Sequence, residues 1–275
     1  MAEIVPLADA IAAHVGDGDR VALEGFTHLI PFAAGHEIIR QGRRHLTLVR
    51  LTPDLLYDQM IGMGCADRLV FSWGGNPGVG SLHRLRDAVE RGWPRPLELE
   101  EHSHAGMAAA FAAGAADLPF AVLRGYTGSD LRGVNASITT ITCPFTGEEL
   151  AAVPSLRPDV GIIHAQRADR AGNVLLEGIV GVQKETMLAS RRAVVTVEEI
   201  VDDLAPPSPN SVVLPSWTID AVAVAPGGAA PSYTHGYYGR DNAFYQDWDK
   251  ISRDRDGFLA WMEAHVTSSE ASGDR

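Results

Sequence analysis

Strand-like and helix-like stretches alternate through the first part of the chain, and only short links separate them. Strand-like runs occupy residues 20–25, 45–50, 68–75 and 96–101, and helix-like runs occupy residues 32–42, 53–64, 80–92 and 103–116. A chain that returns to a strand after each helix through such short links builds parallel strands joined by right-handed crossovers. The pattern therefore predicts an α/β fold with an open, mostly parallel sheet.

In an open parallel sheet, ligands bind outside the carboxyl ends of the strands. Four segments follow predicted strand ends, and a site is expected among residues 24–29, 51–54, 72–80 and 100–104. The first belongs to VALEGFTHLIP, which leaves a strand at Glu24 and Gly25 and reaches Pro31 ahead of a helix. A strand, a glycine turn and a helix in this order are typical of a ligand-binding loop.

Beyond residue 130 the pattern changes. Residues from about 134 to 156 are rich in β-branched residues and turn formers, which predicts a small β-rich insertion over the sheet. Apolar strands resume at residues 159–166 and 192–201, with a helix between them. A proline-rich stretch, residues 204–215, is predicted to cross the surface.

The last part of the chain combines an aromatic segment, a helix and a tail. Residues 231–250 are rich in aromatic side chains without clear periodicity, so they form either a capping loop or an interface with another chain. Apolar spacing predicts an amphipathic helix within residues 251–266. We predict one domain over residues 1–266 and a disordered tail over residues 267–275.

Composition excludes several classes of function. The net charge of −12, from 35 acidic and 23 basic residues, argues against nucleic acid as a partner. No run of eighteen apolar residues occurs, and the N-terminus lacks a basic signal region, so neither a membrane span nor secretion is expected. Cys65 and Cys143 are far apart and lack metal-ligand spacing, which favours free thiols in the cytoplasm.

The glycine-rich stretch WGGNPGVGS fits neither the dinucleotide-binding fingerprint nor the P-loop. Its glycines permit a tight turn at a strand end and bring N–H groups close to a ligand. Asn76, beside Gly75, can hydrogen-bond a substrate from this turn, although an Asx turn is the simpler interpretation.

Two glutamates and two histidines cluster in EEHSHA, residues 100–105. The histidines lack the helical i,i+4 spacing of a good zinc site, so a metal is disfavoured. A carboxylate at a strand end just before a helix can act as a base or can orient another group, and Glu101 is the best candidate for that role. His164, at the end of an apolar strand, is interpreted as structural, and no G-x-S-x-G nucleophile motif occurs.

Three segments, taken in order, resemble one enzyme family. VALEGFTHLIP is similar to a glycine loop that ends in Ile-Pro, DVGIIHAQRADRAGNV to an Asp-Val…Gly-Asn segment, and VVTVEEIVD to a Glu-Glu-Ile-Val strand end. All three are features of the alpha subunits of family I coenzyme A-transferases. The resemblance covers about residues 2–266, and further segments such as EEHSHA and TCPFTGE are most similar to members that transfer CoA from succinyl-CoA to 3-oxoadipate in aromatic catabolism.

The resemblance implies an open α/β sheet with helices on both sides, a coenzyme A thioester as substrate and no permanently bound cofactor. Family members pair this kind of chain with a beta chain, usually as α2β2, and a beta-chain glutamate in a Ser-Glu-Asn/Gly setting carries the transfer. That setting has no match here, because Glu177 lies downstream of the alpha-type DRAGNV element and is interpreted as structural. The resemblance thus implies that the catalytic nucleophile is absent from this chain.

The same resemblance suggests which residues line the site. Gly25, Phe26 and Thr27 are expected to lie against the thioester and to contribute N–H groups. Glu24 stands where the family loop commonly has a glycine; it is expected to shape acceptor choice rather than to act as the nucleophile. The expected crevice residues from the other strand ends are Gly75, Asn76, Glu101 and Ser103.

Three alternatives stay open. One is a transferase for glutaconate or another 3-oxoacid. Another is a CoA-thioester ring-opening hydrolase, a relative of the same fold in which Glu101 would be the base. The third is a non-catalytic module that only binds CoA esters, which the tight loops EGFTHLIP and SWGGNPGVG disfavour.

Overall fold

A computed structural model describes residues 2–77, 79–206 and 208–268, and over these residues the chain forms thirteen strands and nine α-helices. The strands are β1 Glu3–Ile4, β2 Arg20–Glu24, β3 Leu46–Arg50, β4 Ala66–Phe71, β5 Glu98–Glu101, β6 Phe120–Leu123, β7 Thr139–Thr142, β8 Glu149–Pro154, β9 Val160–Asp169, β10 Val174–Glu177, β11 Arg192–Val201, β12 Ser211–Leu214 and β13 Ala221–Val224. The helices are α1 Leu7–His14, α2 Phe32–Arg40, α3 Leu55–Gly62, α4 His83–Arg91, α5 His104–Ala115, α6 Leu131–Val134, α7 Gln183–Ala189, α8 Asn242–Ile251 and α9 Arg255–Met262.

The large sheet has the strand order β1-β13-β11-β9-β2-β3-β4-β5, and every neighbouring pair along this path is parallel. β10 adds an antiparallel hairpin to β9 and pairs in turn with β12. The predicted open, mostly parallel sheet is confirmed. Because the eight strands on this path run the same way, their carboxyl ends all lie at one edge.

Helices cover both faces of this sheet. Successive side chains of a strand point to opposite faces, so a continuously apolar strand has side chains to bury on each face. In β2, Val21 and Leu23 pack into a core shared with α1, α2, α3, α4, α8 and α9. Ala22 between them faces the opposite core, which contains Met107 and Phe111 of α5. Both faces of β2 are therefore buried from solvent, and its carboxyl end is a rigid support for the loop that follows.

A separate three-stranded antiparallel sheet, in the order β6-β8-β7, contains the predicted β-rich segment. It also includes β6, which lies before residue 134, so hairpin material begins earlier than its composition indicates. The proline-rich stretch was predicted only to cross the surface, yet Ser211–Leu214 within it forms a strand against β10. No helix within the described ranges is both long enough and apolar enough to span a bilayer.

The aromatic segment is partly helical, which neither interpretation of residues 231–250 predicted. Asp241 caps α8, and Tyr245 and Trp248 on that helix are completely or almost completely buried. The Trp248 indole donates to the Asp58 carboxylate at 3.0 Å. These aromatic side chains therefore stabilise the chain itself.

The predicted terminal helix corresponds to α9 and a following π-helical turn, Glu263–Thr267, whereas residues 269–275 of the predicted tail lie outside the described residues.

Phe258→Ala is expected to destabilise the chain by about 3–5 kcal/mol, because it leaves a cavity under α9. The Phe258 ring is fully buried against Gly62, and it makes edge contacts with Trp93 and Trp248. Leu259→Ala on the same helix is the matched control, since Leu259 is 41% exposed, and its cost should stay below about 1 kcal/mol. Urea denaturation of both variants checks this, and equal losses would contradict the packing described.

Candidate active site at the carboxyl edge of the sheet

The loop after β2 makes a tight turn that only glycine permits at its first position. A Cβ on Gly25 would lie 2.6 Å from the Leu29 carbonyl oxygen and 2.8 Å from that of His28. Two non-glycine residues of the loop, Thr27 and Leu29, have φ values of 58° and 55° in the left-handed region. Such conformations are unfavourable for residues with a side chain, and they persist only where the surroundings impose them.

Two other loops hold this loop from the side. The buried His28 ring contacts the Ile179 carbonyl through Nδ1 at 3.2 Å and accepts the main-chain N–H of His235 at Nε2, at 3.0 Å. Gly181 lies close to Phe26, since a Cβ there would be 3.2 Å from the Phe26 Cβ. The chain therefore brings three loops together at the carboxyl end of β2, beside β9.

Two crossed hydrogen bonds join the ends of β2 and β3. The Glu24 carboxylate accepts the Leu51 N–H at 3.0 Å, and the Arg50 guanidinium donates to the Gly25 carbonyl oxygen at 2.6 Å. Arg50 also donates to Asp54 at 2.9 Å, and all three charged side chains are buried. Within the described residues, neither Phe26 nor Thr27 uses its main-chain N–H in a hydrogen bond. The Gly25 carbonyl is thus held by Arg50, while the Phe26 and Thr27 N–H groups have no hydrogen-bond partner among the described residues.

The Glu24 side chain turns into the protein, toward the end of β3, and does not line an open surface. Burial raises its pKa to about 7, although the neighbouring Arg50 opposes that shift. A carboxyl group in this position can support the loop from inside the protein.

Gly75 and Asn76 lie in the turn after β4. The Gly75 N–H donates to the Pro53 carbonyl at 3.1 Å. The Asn76 side chain is buried and donates to the Tyr245 carbonyl of α8 at 2.7 Å, while its Oδ1 is buried with no partner in the part of the chain that is described. Asn76 therefore ties this turn to α8 through its amide N–H.

Glu101 and Ser103 lie at the end of β5, on the same edge of the sheet. Glu101 is exposed, and its carbonyl accepts Asn135 at 2.7 Å. Ser103 caps α5 by accepting the Gly106 N–H at 3.0 Å. β5 is three strands away from β2, so about 14 Å separates the two strands at a spacing of about 4.8 Å per strand. The predicted residues therefore share one edge without direct contact between the first loop and Glu101.

The sequence interpretation missed a buried polar network in the middle of β9 and β11, although it placed His164 at a strand end. His164 contacts Glu198 at 2.7 Å and Thr196 at 2.9 Å. Glu198 accepts three further donors: the Gly227 N–H, the Thr234 hydroxyl and the Tyr238 hydroxyl. His164 was interpreted as structural, and these contacts agree with that role. The register that places His164 opposite Thr196 is a tertiary feature without a local signal.

Arg50 and Asp54 were also missed as a pair. Arg50 ends an apolar strand, and Asp54 follows four residues later as the N-cap of α3, accepting the Leu56 N–H at 3.3 Å. An arginine at the end of a buried strand, next to an acidic helix cap, is the one local signal that could have found them.

Sequence and structure comparisons identify a family model and several known proteins that are similar to this chain. The model of the family described as Coenzyme A transferase matches residues 5–225. The A subunit of 3-oxoadipate CoA-transferase from Pseudomonas knackmussii is 66% identical over 270 residues, which cover 98% of this chain and 95% of that protein. The crystal structure of glutaconate CoA-transferase from Acidaminococcus fermentans superposes with a TM-score of 0.90 at 32% identity, over 97% of this chain and 89% of that chain. The IpdA subunit of a cholesterol ring-cleaving hydrolase from Rhodococcus jostii is 27% identical over 58% of this chain and 57% of that protein.

Gly25→Ala is expected to lower the free energy of unfolding by about 1–3 kcal/mol, because the new methyl group meets main-chain atoms that cannot turn aside. Gly133→Ala is the control, since no atom lies within 4 Å of a Cβ there and the residue is in a helix. Thermal unfolding of both variants measures the difference. A Gly25 variant as stable as the Gly133 variant would refute the tight turn.

Glu24→Gln is expected to change how stability depends on pH. Because the pKa of Glu24 is raised from 4.5 to about 7, the folded chain holds a proton that the unfolded chain has lost, and stability falls as pH rises between those values. The glutamine variant lacks this decline, so its stability relative to the wild type should rise by up to about 3 kcal/mol across that window. Urea denaturation at pH 4.5 and 7.5 tests this. Glu101→Gln, which removes an exposed carboxylate from the same edge, is the control for the loss of one acidic side chain.

Proposed function

Because this chain belongs to the coenzyme A transferase family, we propose that it is the alpha subunit of an enzyme that moves coenzyme A from succinyl-CoA to 3-oxoadipate in the catabolism of aromatic compounds. One observation carries the proposal: 66% identity to the A subunit of 3-oxoadipate CoA-transferase along almost the entire chain. The glycine loop at the sheet edge supports it, since its N–H groups are available at the place where open α/β sheets bind ligands.

The chemistry divides one exchange into several steps. A carboxylate of the partner beta chain attacks the carbonyl carbon of succinyl-CoA and displaces the CoA thiolate, which leaves an acyl-glutamyl anhydride. The thiolate then attacks the glutamyl carbonyl, succinate leaves, and a glutamyl-CoA thioester remains. 3-Oxoadipate repeats these steps in reverse order and departs as its CoA thioester, which restores the glutamate.

Each attack develops negative charge on a carbonyl oxygen. A prepositioned N–H donor stabilises such an oxyanion by about 3 kcal/mol. We assign this role to the loop Gly25, Phe26 and Thr27. Glu24 supports the loop from inside, since its carboxylate binds the Leu51 N–H. We further propose that Gly75, Asn76, Glu101 and Ser103 flank the crevice that the beta chain completes.

The partner is proposed to be a CoA-transferase beta subunit in an α2β2 assembly. The similar protein from Pseudomonas knackmussii is the A subunit of its enzyme, which implies a second kind of subunit there. Phe26 is 38% exposed and Ile179 is 50% exposed beside the glycine loop, which supports a contact with another chain at this edge. Residues 1–266 are proposed to act as one alpha-subunit domain in the cytoplasm, where Cys65 and Cys143 would stay free thiols as they are in the structure.

A ring-opening CoA-thioester hydrolase is the second candidate. Its support is the exposed Glu101 at the end of β5 and the 27% identity to the IpdA subunit of a cholesterol ring-cleaving hydrolase. In that case Glu101 would be the base that activates water. The higher identity and coverage of the transferase relative favour transfer.

The proposed activity is tested by measuring CoA transfer from succinyl-CoA to 3-oxoadipate with this chain alone and with its beta chain. Activity is expected only in the complex, because the nucleophile belongs to the beta chain. Replacement of the beta-chain glutamate by glutamine should abolish transfer. Transfer by the isolated alpha chain would refute the half-site arrangement.

Glu101→Gln separates the two candidate functions in the same complex. A transferase should keep CoA transfer within about tenfold, since Glu101 then only lines the crevice. Release of free CoA without an acylated acceptor, lost in Glu101→Gln, would instead identify the hydrolase.

A further inference from the structure

The parallel ladder between β2 and β3 ends at Ala22 and Val49, before the glycine loop begins. Beyond it, two crossed hydrogen bonds continue the connection: the Leu51 N–H donates to Glu24, and Arg50 donates to the Gly25 carbonyl. We propose that Arg50 is a positioning residue that orients the Gly25–Phe26 peptide, so that the Phe26 N–H is the donor directed at the oxyanion during CoA transfer. This inference rests on the proposed function and names the donor within the loop.

Peptide geometry links Arg50 to the Phe26 N–H. The Gly25–Phe26 bond is trans, since cis bonds in the described residues occur only before Pro94 and Pro231. In a planar trans peptide, the C=O and the N–H point in opposite directions. The Gly25 carbonyl points toward the buried Arg50 guanidinium at the end of β3, so the Phe26 N–H points in the opposite direction, away from Arg50 and β3. Rotation of this peptide would remove the donor and would leave the buried Arg50 without its carbonyl partner.

Arg50 is itself held in place. One arm of its guanidinium donates to Asp54 at 2.9 Å while the other donates to Gly25, and its Cζ lies 5.5 Å from the centre of the Tyr57 ring. Tyr57 is anchored in turn, because its hydroxyl donates to the Val49 carbonyl at 2.7 Å. The helix α3, which carries both Asp54 as its cap and Tyr57, therefore fixes the guanidinium.

The loop needs a fixed hydrogen-bond donor such as Arg50 because its backbone conformation is unfavourable. Left-handed φ values at Thr27 and Leu29 each cost about 1–3 kcal/mol, so an unrestrained loop would relax to other conformations. A guanidinium can hold a carboxylate and a carbonyl with separate arms, whereas a lysine ammonium is a single point charge. Arg50→Lys therefore keeps the charge next to Asp54 and weakens the hold on the Gly25 carbonyl.

The first test measures kcat and KM for Arg50→Lys in the complex with the beta chain. We expect kcat to fall about 10²-fold, because a displaced catalytic group costs that much, while KM for succinyl-CoA stays within about twofold. Arg84→Lys is the matched control. Arg84 is also buried and joins a carboxylate, Asp87, to a main-chain carbonyl, that of Arg253, but it lies on α4 away from the loop. The control should lose similar stability without a change in kcat.

The second test removes the donor itself. Phe26→Pro deletes the N–H at a position without a positive φ, and Phe26→Ala keeps the N–H while it removes the ring. The proline variant should lose about 10²-fold in kcat relative to the alanine variant. If Arg50 acts through this N–H, Arg50→Lys should have little further effect in the Phe26→Pro background, because the two changes are coupled.

Unchanged kcat in Arg50→Lys, or an equal loss with and without the Phe26 N–H, would overturn the inference. If Arg50→Lys does not assemble, Asp54→Asn enters the same cycle, since it keeps the guanidinium but removes the carboxylate that holds it. An inactive wild-type complex would instead refute the proposed function, which separates the two failures.

Discussion

β9 is the strand on which the remaining structure depends. It pairs in parallel with β2 on one side and with β11 on the other, and it is buried along almost its entire length. These pairings join the first half of the chain to the second across one continuous sheet. Because both faces are covered by helices or strands, the strand ends cannot shift independently, and the loops at the carboxyl edge keep a fixed relation to one another.

The candidate site combines that rigid support with a loop under backbone strain. Hydrophobic burial explains why β2 and β3 end where they do, but it does not determine the direction of a peptide group. Directional hydrogen bonds with buried polar side chains determine that direction, and here Glu24, Arg50 and Asp54 make these hydrogen bonds. Buried ionisable groups are costly unless they are paired, so three such side chains around one turn are better explained by positioning than by stability alone.

Much of the fold could be predicted because its signals are local. Alternating strands and helices with short links led to the parallel sheet, and the positions of its strand ends followed from them. The helix α8 was not predicted, although Phe244, Tyr245, Trp248 and Ile251 follow helical spacing after the N-cap Asp241, because the aromatic residues that precede Asp241 lack that spacing. The strand Ser211–Leu214 was also not predicted. It forms by pairing with β10, whereas the prolines around it are typical of a loop.

The amino-acid sequence by itself determined the α/β class, the family resemblance and the edge at which a site should lie, because periodicity and motifs are properties of neighbouring residues. Only the tertiary structure determined which hydrogen bonds the charged side chains at this edge make. That Glu24 shapes acceptor choice stays a prediction, and the structure shows that its carboxyl group accepts the Leu51 N–H inside the protein while Arg50 donates to the Gly25 carbonyl across the strand pair. The physical reason is that the direction of a side chain at a strand end depends on which strand lies beside it, and that neighbour is chosen by the packing of the whole sheet.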